Sequence, residues 1–321
     1  MNNVLPVEID DKWILSKRGI KNTVDPERPY AWLVEKERTI RGAIEPIAVI
    51  FLTNKECPFH CLMCDLWKNT TDITVSAEAI SLQIKFALRN IKNVRHIKLY
   101  NSGSFFDRRA IPVVEYKKIA ELLETFETVI VESHSAFINE SILEFKNMLK
   151  PELHVAMGLE TVNPEVLDRL NKQMTLEDFK RAASFLNSNN IPSRAFILLR
   201  PPFMTEAEGI IWAKKSIDFA FQSDIECCTI IPVRGGNGAM ETLQQSGHFH
   251  TPDIRSLEEV LEYGISLKKG RVFADTWDLS LFSSCNKCLD QRSKRLETMN
   301  HTQQFEKKIS CDCRAEVSVI S

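Results

Sequence analysis

Between residues 47 and 232 the chain alternates, six times over, a short and almost wholly apolar run with a longer stretch of polar and mixed residues. The runs fall at 47–54, 95–103, 128–133, 153–160, 191–200 and 225–232. Between them, residues 74–91, 111–126, 138–149, 175–189 and 206–221 have helical apolar spacing, and Thr175 opens one of these stretches as a capping signal. Strands that are apolar on both faces must be covered on both, which calls for parallel pairing under a layer of helices. Right-handed crossovers roll such a sheet toward a barrel. A doubly wound open sheet is the competing arrangement, and it asks for a glycine-rich phosphate turn after the first strand. That turn instead holds three cysteines. The expected fold is α/β: a partial, open-sided (β/α)6 barrel of the TIM type.

At 321 residues, 44% hydrophobic and 26% charged, the chain can fill one large α/β domain with an appendage. We divide it into an N-terminal extension (1–45), the barrel (46–275) and a small C-terminal metal-binding segment (276–321). Within the extension, residues 31–41 have helical periodicity. The net charge of -2 provides no global basic field for nucleic acid, although a local patch is compatible with it. No apolar run reaches the ~18 residues a membrane span needs, and the N-terminal MNNVLPVEIDDKW has no basic-then-apolar signal pattern. A cytoplasmic protein with no membrane partner is expected. Nine cysteines in a reducing compartment serve metals more often than disulfides, and seven of the nine fall in two tight groups.

The first group is CPFHCLMC, with Cys57, Cys61 and Cys64 directly after the first apolar run. Three thiolates can hold three irons of a [4Fe-4S] cubane and leave the fourth open to a ligand that is not protein. An amino acid-like group, such as the methionine end of S-adenosylmethionine (SAM), can chelate that iron and receive an electron. The competing reading is structural zinc, with His60 or a distant cysteine as fourth ligand. Zinc sites usually pair C-x2-C with a second pair, so the three-then-two spacing fits the cluster better.

If the first strand ends in the cluster, the other strand ends should furnish the remaining contacts. The second ends in Asn101, Ser102, Gly103 and Ser104, a small turn that lets backbone and hydroxyls approach a ligand. The third ends in Glu132, Ser133 and His134, and the fourth in Gly158, Leu159, Glu160 and Thr161. Glu132 and Glu160 close apolar strands, where an unpaired carboxylate is costly to bury, so a ligand or an ion-pair partner is expected for each. His134 reads as a packing histidine at a strand end. Arg200, before Pro201 and Pro202, is an ion-pair anchor or a carboxylate binder. The sixth strand ends near Arg234, Gly235, Gly236 and Asn237, and its Cys227 and Cys228 read as buried small residues. The second cysteine group pairs Cys285 and Cys288 with Cys311 and Cys313. Four thiolates in two pairs suit zinc or a second iron–sulfur cluster, and spacing does not separate the two.

CPFHCLMC and these strand-end turns resemble the radical SAM superfamily. NSGSFFD, VESH, GLET, LNKQMTLEDF and LLRPPF follow in the order of one branch, similar to the radical SAM subunit of archaeosine synthase and its bacterial relatives, near the Elongator-type proteins. The resemblance implies a [4Fe-4S] cluster on Cys57, Cys61 and Cys64, with Met63 where many members place an aromatic residue near the adenine. It implies that Ser102, Gly103 and Ser104 meet the SAM methionyl group, with Glu132 and Glu160 near its polar groups or ribose, and Arg200 among the cofactor-binding residues. Reductive cleavage of SAM to a 5′-deoxyadenosyl radical would abstract hydrogen from a substrate, and a modified nucleoside in tRNA is the branch's class. A ferredoxin or flavodoxin as electron donor, and a modification-enzyme subunit as partner, follow from the same resemblance. A peptide or small-metabolite substrate, or a non-catalytic zinc-binding interaction protein, are the alternatives.

Overall fold

The computed structural model describes residues 9–314, so the ends of the expected extension and terminal segment, at 1–8 and 315–321, lie outside the described residues. Helix α1 (Asp11–Lys17) is capped by Asp10, whose carboxylate accepts the Trp13 N–H. A hairpin of β1 (Ala31–Arg38) and β2 (Ile44–Leu52) follows, then α2 (Ala79–Leu88), β3 (His96–Asn101), α3 (Tyr116–Leu123), β4 (Thr128–Glu132) and α4 (Ser141–Met148). Next come β5 (Glu152–Glu160), α5 (Pro164–Arg169), α6 (Leu176–Ser188), β6 (Ser193–Leu199), α7 (Glu206–Gln222) and β7 (Cys227–Pro232). The described chain ends with α8 (Ala239–Gln245), α9 (Ile254–Ser266), β8 (Arg271–Ala274) and α10 (Asn286–Thr302).

All eight strands form one sheet in sequence order. β1 pairs antiparallel with β2, and every later pair is parallel. This is the curled half-barrel expected, with the six predicted strands at β2 to β7 and two additions. β8 makes a seventh parallel strand; at four residues it is too short to announce itself by periodicity. The other is β1, where helix was expected. Its side chains alternate in burial, and the inward positions Glu35 and Glu37 carry charge. Such residues look solvent-facing in sequence. In the fold Lys98 Nζ reaches Glu35 at 2.5 Å and Glu37 at 2.6 Å, and Arg194 Nη1 reaches Glu37 at 3.0 Å, all inside the barrel. Burial works to raise the Glu37 carboxyl, but Arg194 and Lys98 hold it well below its usual range.

Helix ends follow local chemistry where it suffices. Thr175 and Asp178 form the capping box that starts α6, as the sequence signals. α2 starts at Ala79, because its free N–H groups are met from α3's side: buried Glu115 accepts from Ile80 at 3.2 Å and Ser81 at 3.3 Å. The main core lies between the strands and the outer helices, with Ile50, Leu99, Val131 and Ile197 on one side and Ile84, Phe145, Phe179 and Ile217 on the other. Among the described residues, no helix is long and apolar enough to cross a membrane.

Candidate active site

β2 delivers the chain into the cysteine loop at the C-terminal mouth of the barrel, where parallel strands place their reactive side chains. Neighbouring elements hold that loop in place. Asn54 Oδ1 accepts the Ser102 N–H at 3.2 Å, and Leu62 N–H donates to Leu170 O at 2.9 Å. Asn237, buried beyond β7, donates its amide to Leu62 O at 2.7 Å and Cys64 O at 3.2 Å. Asn171 donates to His60 O at 2.9 Å. Burial pushes the thiols up, Cys57 to about 11 and Cys61 and Cys64 to about 12. A thiolate in such a setting needs a metal to form.

Gly103 lets β3 approach this loop. A Cβ built there would meet Cys57 Cβ at 3.2 Å and Cys57 Sγ at 3.7 Å, at a φ of +151° that L side chains rarely adopt. Gly103→Ala is therefore expected to displace Cys57 and, with the triad as the expected cluster site, to lower iron content and cut turnover about 10²-fold, the loss a misplacement near 1 Å produces. Iron content and rate, measured on the same preparation, check this.

Around Gly103 lie buried polar groups without partners: the side-chain amide of Asn101 and the hydroxyl of Ser102. Ser104 has a structural bond, its Oγ accepting the His134 N–H at 2.9 Å. Glu132 accepts the Asn101 N–H at 2.7 Å, and burial raises its carboxyl to about 8. A carboxyl raised in the fold favours folding below its unfolded value of 4.5, and that contribution is lost as the pH climbs toward 8. Glu132→Gln should match the parent in denaturant melts at pH 4 and become the more stable chain by pH 8. A gap independent of pH would refute the assignment.

His134 is a support. Its Nδ1 accepts the Ala136 N–H at 3.1 Å, so the neutral ring's Nε2–H donates to Lys172 O at 2.9 Å. Burial, then Lys172, lowers its pKa to about 4, and the ring stacks on Phe59 with centroids 3.9 Å apart. Glu160 forms a buried ion pair with Lys172 Nζ at 2.6 Å. A register shift between Gly158 and Glu160, and a φ of 64° at Glu160, aim that carboxylate. Gly158 leaves it room: a Cβ there would lie 2.2 Å from Glu160 Oε1 and 2.4 Å from Lys172 Nζ. Burial works to lower the Lys172 pKa, but the Glu160 charge holds it above its usual range, and the ammonium stands where Cys61 and Cys57 would carry charge as thiolates.

Met63 is half-buried against the apolar cluster that includes Leu62, Leu170 and Val233. Arg200 is engaged elsewhere: Nη1 donates to Glu206 at 2.6 Å and to Thr251 O at 2.8 Å, tying β6 to α7 and the segment before α9. The structure thus gathers Ser102, Gly103, Ser104, Glu132 and Glu160 around the triad, while Arg200 binds to its flank. Reading strand ends alone missed Lys172, because it sits on the link between α5 and α6. It is nevertheless the lysine of LNKQM, a motif visible in the sequence. Cys285, Cys288, Cys311 and Cys313 form a separate group, with one ligand atom from each within 4.8 Å of all the others.

Comparison with known proteins agrees with this geometry. Residues 52–208 match the Radical SAM superfamily. The chain is 27% identical over 327 residues to an uncharacterised protein of Methanocaldococcus jannaschii, covering 94% of this chain and 88% of that one. It is 29% identical over 211 residues to archaeosine synthase subunit beta of Thermococcus kodakarensis, covering 63% of this chain and 65% of the relative, which is less than two thirds of that protein. The fold resembles that of Elp3 from Methanocaldococcus infernus, with a TM-score of 0.50, 16% identity, and coverage of 68% of this chain and 58% of that one. Three cysteines on the first barrel loop, and polar groups near them from β3, β4 and β5, all lie within the residues that match the Radical SAM superfamily, and the match supports an enzyme similar to that superfamily.

Proposed function

We propose that Cys57, Cys61 and Cys64 ligate three irons of a [4Fe-4S] cluster, and that SAM binds beside them at the mouth of the barrel. The superfamily implies both groups. The observation that carries the assignment is the set of unpartnered polar atoms next to the triad, the Asn101 amide and the Ser102 hydroxyl, with the half-buried Glu132 carboxyl beside them. A buried polar atom without a partner is costly, and a zwitterionic ligand supplies what is missing. The amino and carboxylate ends of SAM need acceptors and donors together, which this set offers. When bound, the cluster and SAM supply one-electron cleavage and hydrogen-atom abstraction. The chain's own residues hold and orient: Gly103 admits the close approach, Asn237 and Asn171 fix the loop, and Lys172 places a cation beside the thiolates.

The substrate we infer is a modified nucleoside in tRNA, and the identity with an archaeosine synthase subunit supports it. Because that relative is named as a subunit, a modification-enzyme partner belongs to the same proposal. The chain's charge of -2 is weak for RNA binding, so a partner would bring much of the phosphate contact. A ferredoxin or flavodoxin in the cytoplasm would donate the electron. Anaerobic reconstitution followed by an assay for 5′-deoxyadenosine tests the chemistry, with product expected only when cluster, SAM and reductant are all present. Adding bulk tRNA should raise product formation and leave a changed nucleoside in the RNA digest. If a peptide or small-metabolite mixture accelerates the reaction and tRNA does not, the substrate assignment falls while the chemistry stands.

A further inference from the structure

The two edges of the half-barrel, β1 and β8, are bridged by a helix. Asn300 on α10 accepts the Ala274 N–H and donates to the Ala274 carbonyl, both at 2.8 Å. Gln303, at the C-terminal end of α10, repeats the pattern on Val272, again at 2.8 Å for each bond. Two side-chain amides thereby occupy ladder positions that an eighth parallel strand would otherwise fill, and they cover an edge that would be open to misassociation. On the other side, Arg38 of β1 donates to His301 O at 3.2 Å, and Arg271 of β8 donates to Arg38 O at 2.5 Å.

The helix is fastened at its other end. Cys285 is the N-cap of α10 and Cys288 lies in its first turn, while Cys311 and Cys313 arrive on the returning tail. Arg292 and Arg295 join that tail to α9. Arg295 donates to Lys307 O at 2.9 Å and Glu306 O at 2.8 Å, and pairs with Glu258 at 3.1 Å. Arg292 pairs with Glu258 and donates its Nε–H to Cys288 Sγ at 3.3 Å.

The spacing of the sulfurs decides what they hold. Cys285 Sγ lies 3.8 Å from Cys311 Sγ, Cys288 Sγ lies 4.0 Å from Cys313 Sγ, and all four are within 4.8 Å of one another. Four thiolates at about 2.3 Å from one tetrahedral ion are about 3.8 Å apart. A multi-iron cluster spreads at least some of its thiolate pairs to roughly 6 Å, because its ligands sit on different irons. The Cys288 hydrogen bond to Arg292 and the helix N-terminus both favour the negative charge of an ion with four thiolates.

We propose that Cys285, Cys288, Cys311 and Cys313 bind a single zinc ion, and that this ion clasps α10 and its tail across the flank of the barrel, sealing the gap between β1 and β8. The clasp does not depend on the chemistry at the triad. The test uses the full chain with Cys57, Cys61 and Cys64 all changed to alanine, so that any remaining metal belongs to the terminal site. One zinc per chain is expected, without sulfide, and X-ray absorption at the zinc edge should show four sulfurs at about 2.3 Å. Iron with sulfide, iron alone, or no metal overturns the assignment. In the otherwise unaltered chain, Cys285→Ser with Cys311→Ser should remove zinc and speed amide exchange at Val272 and Ala274 at least tenfold, leaving iron at the triad in place. Asn300→Ala with Gln303→Ala should speed exchange at the same amides while keeping the zinc. Zinc loss with unchanged exchange at β8 overturns the clasp. If the serine variant fails to fold, the metal content and absorption spectrum of the chain with intact terminal cysteines still decide the ion.

Discussion

Changing Cys61 to alanine is expected to reduce 5′-deoxyadenosine formation to background, a loss of roughly three decades or more, while the metal-free chain keeps its fold. The thiol is half-buried and raised to about 12, so without metal it is a neutral, compact side chain packed at the mouth of the barrel. Removing one sulfur from such a site costs about 1 kcal/mol of stability, the usual scale for a single substitution. For the cluster the loss is of another order. With two protein thiolates left, a cluster held as proposed would lose the ligand of a second iron, and its open iron would no longer be unique. Iron content and product formation should therefore fall together, with circular dichroism and the denaturant midpoint of the metal-free chain almost unchanged. If Cys61→Ala still cleaved SAM at more than a tenth of the parent rate, the triad would not be the cluster site.

The second large effect is expected at Lys172. Its ammonium and the Glu160 carboxylate are both buried and 2.6 Å apart, on the α5–α6 link and at the end of β5. Lys172→Met leaves Glu160 buried without its partner, and breaking a buried pair in this way destabilises by about 3–5 kcal/mol. Combining it with Glu160→Gln removes the stranded charge and should recover much of that loss, because the desolvation cost of both ions disappears as well. Urea melts of the two single variants and the double variant form the cycle that measures it. A single Lys172→Met that melts with the parent would show that the pair is open to solvent. The same lysine acts on the electrochemistry. A cation beside Cys61 favours a more negative, reduced cluster held there, and Lys172 outweighs Glu160 at Cys61, so the double variant, once reconstituted, should show a slightly lower reduction potential than the parent.

Much of this site is legible in the sequence, because its signals are local. Cys57, Cys61 and Cys64 share one loop whatever surrounds them, since eight consecutive residues cannot carry them far apart. The six apolar runs are strands because side chains of one short segment must all be buried, and that requirement is written within the segment. The Thr175–Asp178 capping box is of the same kind, with donor and acceptor three residues apart.

What only the tertiary structure decided depends on partners remote in the chain. Residues 31–38 became a strand because Glu35 and Glu37 find Lys98 and Arg194 inside the barrel, more than sixty positions away or further. Glu115 caps a helix that is not its own, and Asn300 with Gln303 stands in for a missing strand. Lys172 gained its place by proximity to Glu160 and two thiols, and the four terminal cysteines showed their single-ion spacing only once α10 and its tail had met. A short motif states which chemistry is present, because covalent neighbours share an environment. Which charge is neutralised, which edge is closed and how many ions four sulfurs enclose depend on distances in space, and those exist only after the chain has closed on itself.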